Sequence, residues 1–285
     1  MNVLEEIIHL LPMISDYHAP DSQLYTTLGR MARAEVERRF SVPDYKAHDF
    51  KPFGNVVFPY HKLGAVDSLD LLNLDELIIL SFYWVNRKRY KRVVDIGANI
   101  GPHSIILSKC GFAVQAYEPD PKHYEILQQN LKLNNCANVQ VINAAVSDKP
   151  GEAEFIRVVG NTTGSHLAGS KANPYGELDK FSVKLEAIGP IIDEADLIKL
   201  DAEGHEKEIL LATKREHWLE TDALVEIENK DNAALIYKHF EAMKINLFSQ
   251  KNCWRRVSNL EGMPNSYREG TLFISNKTKI PWEMN

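Results

Sequence analysis

The chain has 285 residues, 44% of them hydrophobic and 25% charged, and its formal net charge is −6. This size and composition are typical of a soluble globular protein that folds without disulfide bonds or a structural metal. The acidic balance argues against a dedicated nucleic-acid binder, which would need a basic surface. We interpret the one basic run, at residues 87–92, as a solvated segment rather than a nucleic-acid patch.

The cysteines and two apolar segments predict the cellular location. The three cysteines are far apart and form no Cys-x-x-Cys motif: Cys110, Cys136 and Cys253. This pattern favours reduced thiols in the cytoplasm. Residues 1–11 carry Glu5 and Glu6 and no positive segment, unlike a signal peptide, and the apolar run 77–85 is shorter than the roughly 20 residues of a membrane span. We expect a cytoplasmic protein without a membrane span.

Residues 1–90 are predicted to form a mostly helical N-terminal extension with short strands. Apolar residues recur at helical spacing over the first 40 positions: Val3, Leu4, Ile7, Ile8, Leu11, Leu24, Leu28, Met31, Ala32 and Val36. A β-like run follows at 55–58 and a helical stretch at 74–85. We expect the extension to pack on a main domain at 91–285, and it could also form a homodimer interface.

From residue 93 the pattern alternates regularly. Strands are predicted at 93–96, 112–117, 139–146, 152–159, 181–185, 196–200, 223–227, 245–249 and 271–275. Helices are predicted to begin at Pro102 and at Pro121, the latter capped by Asp120 and ending near residue 134. Two more helices are predicted at 206–217 and 232–243. This alternation indicates an α/β fold with a mostly parallel sheet and helices on both faces.

The loop after the first strand reads Asp95-x-Gly97-x-Asn99-x-Gly101. A dinucleotide site would need glycines at 99 and 102, where Asn99 and Pro102 stand, and no P-loop motif is present. A carboxylate in the loop suits a phosphate-free ligand with cationic groups, such as S-adenosylmethionine. Asp95 would favour its ammonium, Gly97 and Gly101 would let the backbone approach, and the helix start would offer N–H groups to its carboxylate.

The next two strand ends supply the rest of the predicted cofactor site. Glu118, followed by Pro119, lies 23 residues after Asp95, close to the spacing at which an acidic residue meets ribose hydroxyls. A carboxylate can accept both hydroxyls. The small residues Ala145 and Val146 would leave room for adenine. The alternative is a packing turn without a ligand.

These residues resemble the FkbM-type methyltransferases, a branch of the class I methyltransferases. The resemblance is carried by Val94–Gly101, Tyr117–Pro119, Asn143–Asp148 with Gly151, Ile198–Glu206 and Val225–Ile227. Together these motifs span about residues 93 to 229. The first 90 residues and residues 250–270 carry no motif of the family.

The resemblance implies a Rossmann-like class I methyltransferase sheet with the order 3-2-1-4-5-7-6 and an antiparallel last strand. It makes residues 91–285 an S-adenosylmethionine-binding methyltransferase domain. It also implies O-methylation, with transfer to a hydroxyl of a sugar, glycan or natural-product acceptor. Ligands bind where such a sheet reverses its order, which places Gly97–Gly101 beside Asp201–Glu206.

Three residues after the fourth of these strands are predicted to be catalytic. Asp201 is expected beside the transferred methyl group and is also assigned to the cofactor site. Glu203 or His205 could be the base that a hydroxyl acceptor needs. The alternatives are that Glu203 caps the following helix and that His205 is a surface residue.

A metal site is a further option. Asp201, Glu228 and Asn229 resemble the oxygen ligands of magnesium-dependent small-molecule O-methyltransferases, in which Mg²⁺ could lower the pKa of a hydroxyl. Glu stands where those enzymes usually carry Asp, so Mg²⁺ is not favoured.

Acceptor contacts are predicted in two segments. The polar insert at 160–180 offers Thr163, Ser165 and His166, which suit a polyhydroxylated molecule, although a solvated hairpin tip is the alternative. Trp254 could stack on a sugar ring, or it could be a core residue.

Two other functions were weighed. A methyltransferase that acts on an amino group of a nucleic-acid base usually carries [DNS]-P-P-[FYW] after the fourth strand, whereas residues 201–204 read Asp-Ala-Glu-Gly. A catalytically silent binding or assembly module need not keep Asp95, Gly97, Gly101 and Glu118. Both readings are less favoured than O-methylation.

Overall fold

A computed structural model describes residues 3–170 and 176–283, apart from the side chain of Thr163. The N-terminal part contains three helices and two short strands: α1 Val3–Leu10, α2 Gln23–Phe40, β1 His48–Asp49, β2 Asn55–Val56 and α3 Leu74–Val85. Helix α3 occupies the predicted stretch because Asn73 caps it, its side chain accepting the N–H of Glu76.

The following elements alternate as predicted: β3 Arg92–Ile96, α4 Pro102–Lys109, β4 Ala113–Tyr117, α5 Pro121–Leu133 and β5 Val139–Ile142. The Asp120 side chain caps α5 by accepting the N–H of Lys122, and Pro121 takes the first helical position. The single strand predicted at 139–146 was wrong. The chain turns after β5, where the Asn143 amide donates to the carbonyls of Glu118 and Pro119.

A second sheet forms from the segment after that turn. Its strands are β6 Ala145–Ser147, β7 Gly151–Val158, β8 His166–Leu167 and β9 Leu178–Ala187, in the order β6-β9-β7-β8. Strands β7 and β9 pair antiparallel along their length. Phe155, Leu167 and Val183 form a small core with Ala145. The described parts of the polar insert, residues 160–170 and 176–180, are therefore flanked by strands of the second sheet.

The remaining elements are α6 Ile188–Ile192, β10 Leu197–Leu200, α7 Glu206–Leu211, β11 Asp222–Val225, α8 Lys230–Met243, β12 Asn246–Ser249, β13 Arg255–Arg256 and β14 Leu272–Ser275. The helix predicted at 206–217 was too long. It ends at Leu211, and a 3₁₀ turn follows at Arg215–Trp218. Thr213 organises the break, since its hydroxyl donates to the carbonyl of Leu210 and accepts the Trp218 indole N–H.

The main sheet has the order β13-β12-β14-β11-β10-β3-β4-β5. Numbered from β3, without β13 and the second sheet, its strands stand in the order 3-2-1-4-5-7-6. Strand β14 runs antiparallel to β11 and β12, while β3, β4, β5, β10 and β11 are parallel. The α/β fold class is confirmed. Because the order reverses between β3 and β10, a ligand crevice is expected at their carboxyl ends.

Hydrophobic clusters cover both faces of this sheet. One joins α1, α2 and α3 to α4, α5 and one sheet face, with Phe82 of α3 lying 5.6 Å from Phe273 of β14 between ring centroids. The other joins α7 and α8 to the opposite face around Trp218. Within the described ranges, every helix falls short of the length and apolarity that crossing a bilayer requires.

Candidate cofactor and catalytic site

A cleft with about 600 Å³ of empty space, part of it open solvent, lies at the carboxyl ends of β3, β4 and β10. Most predicted site residues line it: Gly97, Asn99, Glu118, Pro119, Ala145, Val146, Ser165, Asp201, Glu203 and His205. The other lining residues are Ile96, Tyr117, His123, Ala144, Phe155, Thr162, Leu167 and Ala202. No lysine or arginine belongs to this lining in the part of the chain that the structure describes, so the cleft offers no cationic side chain to a phosphate.

The two glycines of the first loop have different structural roles. Gly97 has φ +78°, and a Cβ there would lie 1.7 Å from the carbonyl oxygen of Asp201, so only glycine allows β3 and β10 to end this close together. Gly101 has φ +94°, and a Cβ there would lie 2.5 Å from Leu127 of α5. Gly101 therefore serves the packing of α4 on α5 and does not line the cleft.

Glu118 is held at the tip of β4 by backbone donors. Its Oε2 accepts the N–H of Asn99 and its Oε1 accepts the N–H of Asp120, each at 2.8 Å. The residue is only 5% exposed, and this burial raises the pKa of its carboxyl to about 8 against the effect of the two donors. Each carboxylate oxygen has a second lone pair and can accept one more hydrogen bond.

Arg157 of β7 supports this tip and was missed from the sequence. Its guanidinium binds both carboxylate oxygens of Asp120 at 2.6 Å and lies over the ring of Phe181. A third bond, at 2.5 Å, reaches Asp179 in β9. The second sheet is thereby fixed to the residue whose N–H binds Glu118. No local sequence signal marks the pair, since 37 residues separate Asp120 from Arg157.

Asp95 lies below the cleft rather than in its lining. It is fully buried, with Oδ2 accepting the hydroxyl of Ser104 at 2.6 Å and Oδ1 lying 3.8 Å from Nζ of Lys199. These contacts join β3 to α4 and β10. A direct or water-mediated contact between Asp95 and a ligand ammonium stays a prediction.

The turn after β10 exposes Glu203 to the cleft. Glu203 has φ +51°, a left-handed conformation that non-glycine residues seldom adopt and that is often found at functional sites. The buried Glu206 holds this turn, because its Oε1 accepts the N–H groups of Ala202 and Gly204 at 2.9 and 3.0 Å. Burial raises the pKa of Glu206 to about 7. Glu206 therefore stabilises the turn that precedes α7, and the capping alternative for Glu203 stays a prediction.

His205 is the N-cap residue of α7 and borders the cleft. Its Nε2 lies 2.9 Å from Oγ of Ser147, and its Nδ1 lies 3.2 Å from Oγ of Ser170. Each ring nitrogen of His205 therefore has a serine hydroxyl as a neighbour, and Oε2 of Glu208 lies 3.7 Å from Nδ1. Burial lowers the pKa of His205, which keeps the imidazole neutral at pH 7.

The polar insert contributes Thr162 and Ser165 to the cleft wall. The Ser165 hydroxyl also accepts the N–H of Val158 at 3.2 Å. His166, by contrast, is 1% exposed in β8, with its Nδ1 lying 2.9 Å from the carbonyl oxygen of Gly164. Of the predicted acceptor residues, only Ser165 therefore lines the cleft within the described part of the chain.

The two other predicted acceptor residues do not add to the site. The side chain of Thr163 lies outside the described residues. Trp254 is buried in the hydrophobic core, where its indole N–H donates to Nδ1 of His18 at 2.8 Å and its ring packs near Trp282. This placement corresponds to the core alternative and removes Trp254 from the acceptor site.

The magnesium option concerns Asp201, Glu228 and Asn229. The Asn229 side chain caps α8, with its oxygen accepting the N–H of Asn232 at 2.9 Å. Across residues 3–170 and 176–283, no three or more His, Cys, Asp or Glu side chains are grouped to hold a metal ion. Mg²⁺ binding by Asp201, Glu228 and Asn229 stays an option that is not favoured.

The fold is Rossmann-like α/β, and the cleft lies at the topological switch point of its sheet. The FkbM methyltransferase domain matches residues 95–247, more than half of the chain. The chain belongs to this methyltransferase family.

Individual relatives are more distant. Methyltransferase sdnD from Sordaria araneosa is 27% identical over 162 residues, and the match covers 44% of this chain and 61% of that protein. Among solved structures, precorrin-6y C5,15-methyltransferase from Geobacter metallireducens is 15% identical with a TM-score of 0.38, covering 70% of this chain and 86% of that one. The human methyltransferase 10 domain containing protein is 10% identical with a TM-score of 0.40, covering 89% and 98%.

Proposed function

We propose that the protein is an S-adenosylmethionine-dependent O-methyltransferase acting on a hydroxyl of a sugar, glycan or natural-product molecule. The observation that carries the proposal is the cleft that presents Glu118 opposite the Gly97–Asn99 backbone and lacks cationic side chains in its described lining. Such a cleft suits a nucleoside without phosphate. Membership of the FkbM family supports methyl transfer.

The residues present fit this cofactor. The free lone pairs of Glu118 can accept ribose hydroxyls. Ala145 and Val146 offer an apolar wall for adenine. The amino-acid end is assigned to the Gly97–Asn99 side of the cleft, where the N–H groups are bound to Tyr117 and Glu118 and carbonyl oxygens can accept from an ammonium. When bound, S-adenosylmethionine supplies a methyl group already activated on a sulfonium.

The protein must then align a hydroxyl and remove its proton. We assign proton removal to His205, because its imidazole borders the cleft and burial lowers its pKa, which favours the neutral form that can take up a proton. Glu203 is the second candidate, since its left-handed conformation turns it to the same cleft. Alignment can lower the barrier by roughly 7–11 kcal/mol, and a placed base adds about 10²–10⁴-fold in rate.

Titration with S-adenosylhomocysteine tests the cofactor assignment. We expect Glu118→Ala to weaken binding at least about tenfold, because ribose hydroxyls lose a charged acceptor. Glu125→Ala is the matched control, since Glu125 is exposed on α5 away from the cleft lining. If the wild-type protein binds nothing at millimolar ligand, a silent binding module replaces the enzyme. Unchanged affinity in Glu118→Ala would refute the ribose contact.

The acceptor class is tested by product analysis. Wild-type protein with methyl-labelled S-adenosylmethionine is offered sugars and phenolic natural products, and the position of the label is read by mass spectrometry. The proposal predicts methyl ethers at hydroxyl groups. Label on nitrogen or carbon of these acceptors, or on nucleic-acid bases, would contradict it.

A further inference from the structure

Lys199 of β10 connects the two strand ends between which the cleft opens. Its side chain is 12% exposed, and its Nζ lies 3.3 Å from the carbonyl oxygen of Gly97 and 3.4 Å from Oδ2 of Asp201. Oδ1 of Asp95 is 3.8 Å away. One ammonium therefore contacts the cofactor loop, the strand before it and the neighbouring strand end.

The loop is held from its other side by β4. The N–H groups of Gly97 and Ala98 both donate to the carbonyl of Tyr117 at 3.0 Å. The Gly97 peptide is thus fixed through its N–H by β4 and through its carbonyl by Lys199. Because Gly97 also contacts the backbone of Asp201, a shift of this peptide would move both walls of the cleft.

The charges around Lys199 include one from the N-terminal part of the chain. Burial disfavours the ammonium, but Asp201, Asp95, Glu76 and Glu226 outweigh it and raise the pKa of Lys199. Glu76, in the first turn of α3, also binds Nε2 of His103 at 2.7 Å, at the start of α4. Without the Lys199 ammonium, the carboxylates of Asp201, Asp95, Glu76 and Glu226 would repel one another in a region that water screens poorly.

We propose that Lys199 is a positioning residue that holds the Gly97 peptide and the Asp201 carboxylate in place for the amino-acid end of the cofactor. The inference rests on the proposed function.

The affinities of Lys199 variants for two ligands distinguish a positioning role of Lys199 from a general loss of folded structure. S-adenosylhomocysteine carries the amino-acid end, whereas 5′-methylthioadenosine keeps only adenine, ribose and a methylthio group. We expect Lys199→Met to weaken the binding of S-adenosylhomocysteine at least about tenfold, which is the effect of losing one charged hydrogen bond. The binding of 5′-methylthioadenosine should weaken less than about threefold. Lys199→Arg keeps the charge and should retain most of the wild-type affinity for S-adenosylhomocysteine.

The same comparison applies to Lys199→Gln, a polar neutral variant, if Lys199→Met does not fold. Equal weakening of both ligands in a folded variant would mean that Lys199 only supports the fold, and unchanged S-adenosylhomocysteine affinity would mean that it does not act on the site. Either result overturns the inference. Failure of the wild-type protein to bind either ligand would instead refute the proposed function.

Discussion

Glu118 should make nucleoside binding depend on pH in a defined direction. Burial raises the pKa of its carboxyl to about 8, so the protonated form predominates at pH 7 in the free protein. Only the ionised carboxylate can accept both ribose hydroxyls without offering a competing proton. The affinity for a ribose-containing ligand should therefore rise as the pH increases through 8 and level off above it.

The magnitude follows from the ionised fraction. With a pKa of about 8, that fraction is roughly 0.1 at pH 7 and 0.9 at pH 9. Apparent affinity scales with the competent fraction, so the dissociation constant should fall about tenfold between these pH values. Binding at pH 7 should also release close to one proton, which calorimetry in buffers of different ionisation enthalpy measures.

The assay should use 5′-methylthioadenosine, because it has no amino group that titrates in the same range. Glu118→Gln is the control, since it keeps the shape of the side chain and cannot ionise. We expect the dissociation constant of the wild-type protein to fall about tenfold from pH 7 to pH 9 and that of the variant to stay constant. Equal slopes in both proteins, or a flat wild-type profile between pH 7 and 9, would refute the assignment of Glu118.

Three further outcomes are expected. Gly97→Ala combines a left-handed φ with a clash and should lower the free energy of unfolding by about 2–5 kcal/mol. The control Gly111→Ala has a positive φ in open space and should lower it by about 1–2 kcal/mol. Urea denaturation measures both values. Arg157→Met leaves the buried carboxylate of Asp120 without this partner and should lower the free energy of unfolding by about 3–5 kcal/mol. The control Lys279→Met removes one member of an exposed ion pair and should lower it by less than about 1 kcal/mol. Similar losses in both variants would contradict the burial argument. His205→Gln should lower kcat about 10²–10⁴-fold and leave S-adenosylhomocysteine affinity within about threefold; an unchanged kcat would transfer the role of base to Glu203.

Local signals in the sequence predicted much of the fold. The spacing of apolar residues gave α3 with its observed ends, and Asp120 with Pro121 predicted the start of α5. The prediction erred where a distant partner decides the structure. The turn at Asn143 depends on the carbonyls of β4, and the end of α7 depends on Trp218 seven residues later.

The candidate site shows the same division. Glu118 and the loop glycines could be found because strand ends and glycine spacing are visible in the sequence. Arg157 and Lys199 could not be found in this way, since Asp120 and Gly97, which they contact, are 37 and 102 residues away in the sequence. Gly101 was assigned to ligand approach, yet its contact with Leu127 is a packing requirement that only the helix arrangement shows. The division of the chain at residue 90 stays a prediction.

The most direct test of the account is a crystal structure of the protein with S-adenosylhomocysteine. We expect the ribose hydroxyls on the carboxylate of Glu118, the adenine against Ala145 and Val146, and the amino-acid end beside the Gly97 backbone. A nucleoside bound outside this cleft, or one that leaves Glu118 without a ligand contact, would contradict the account.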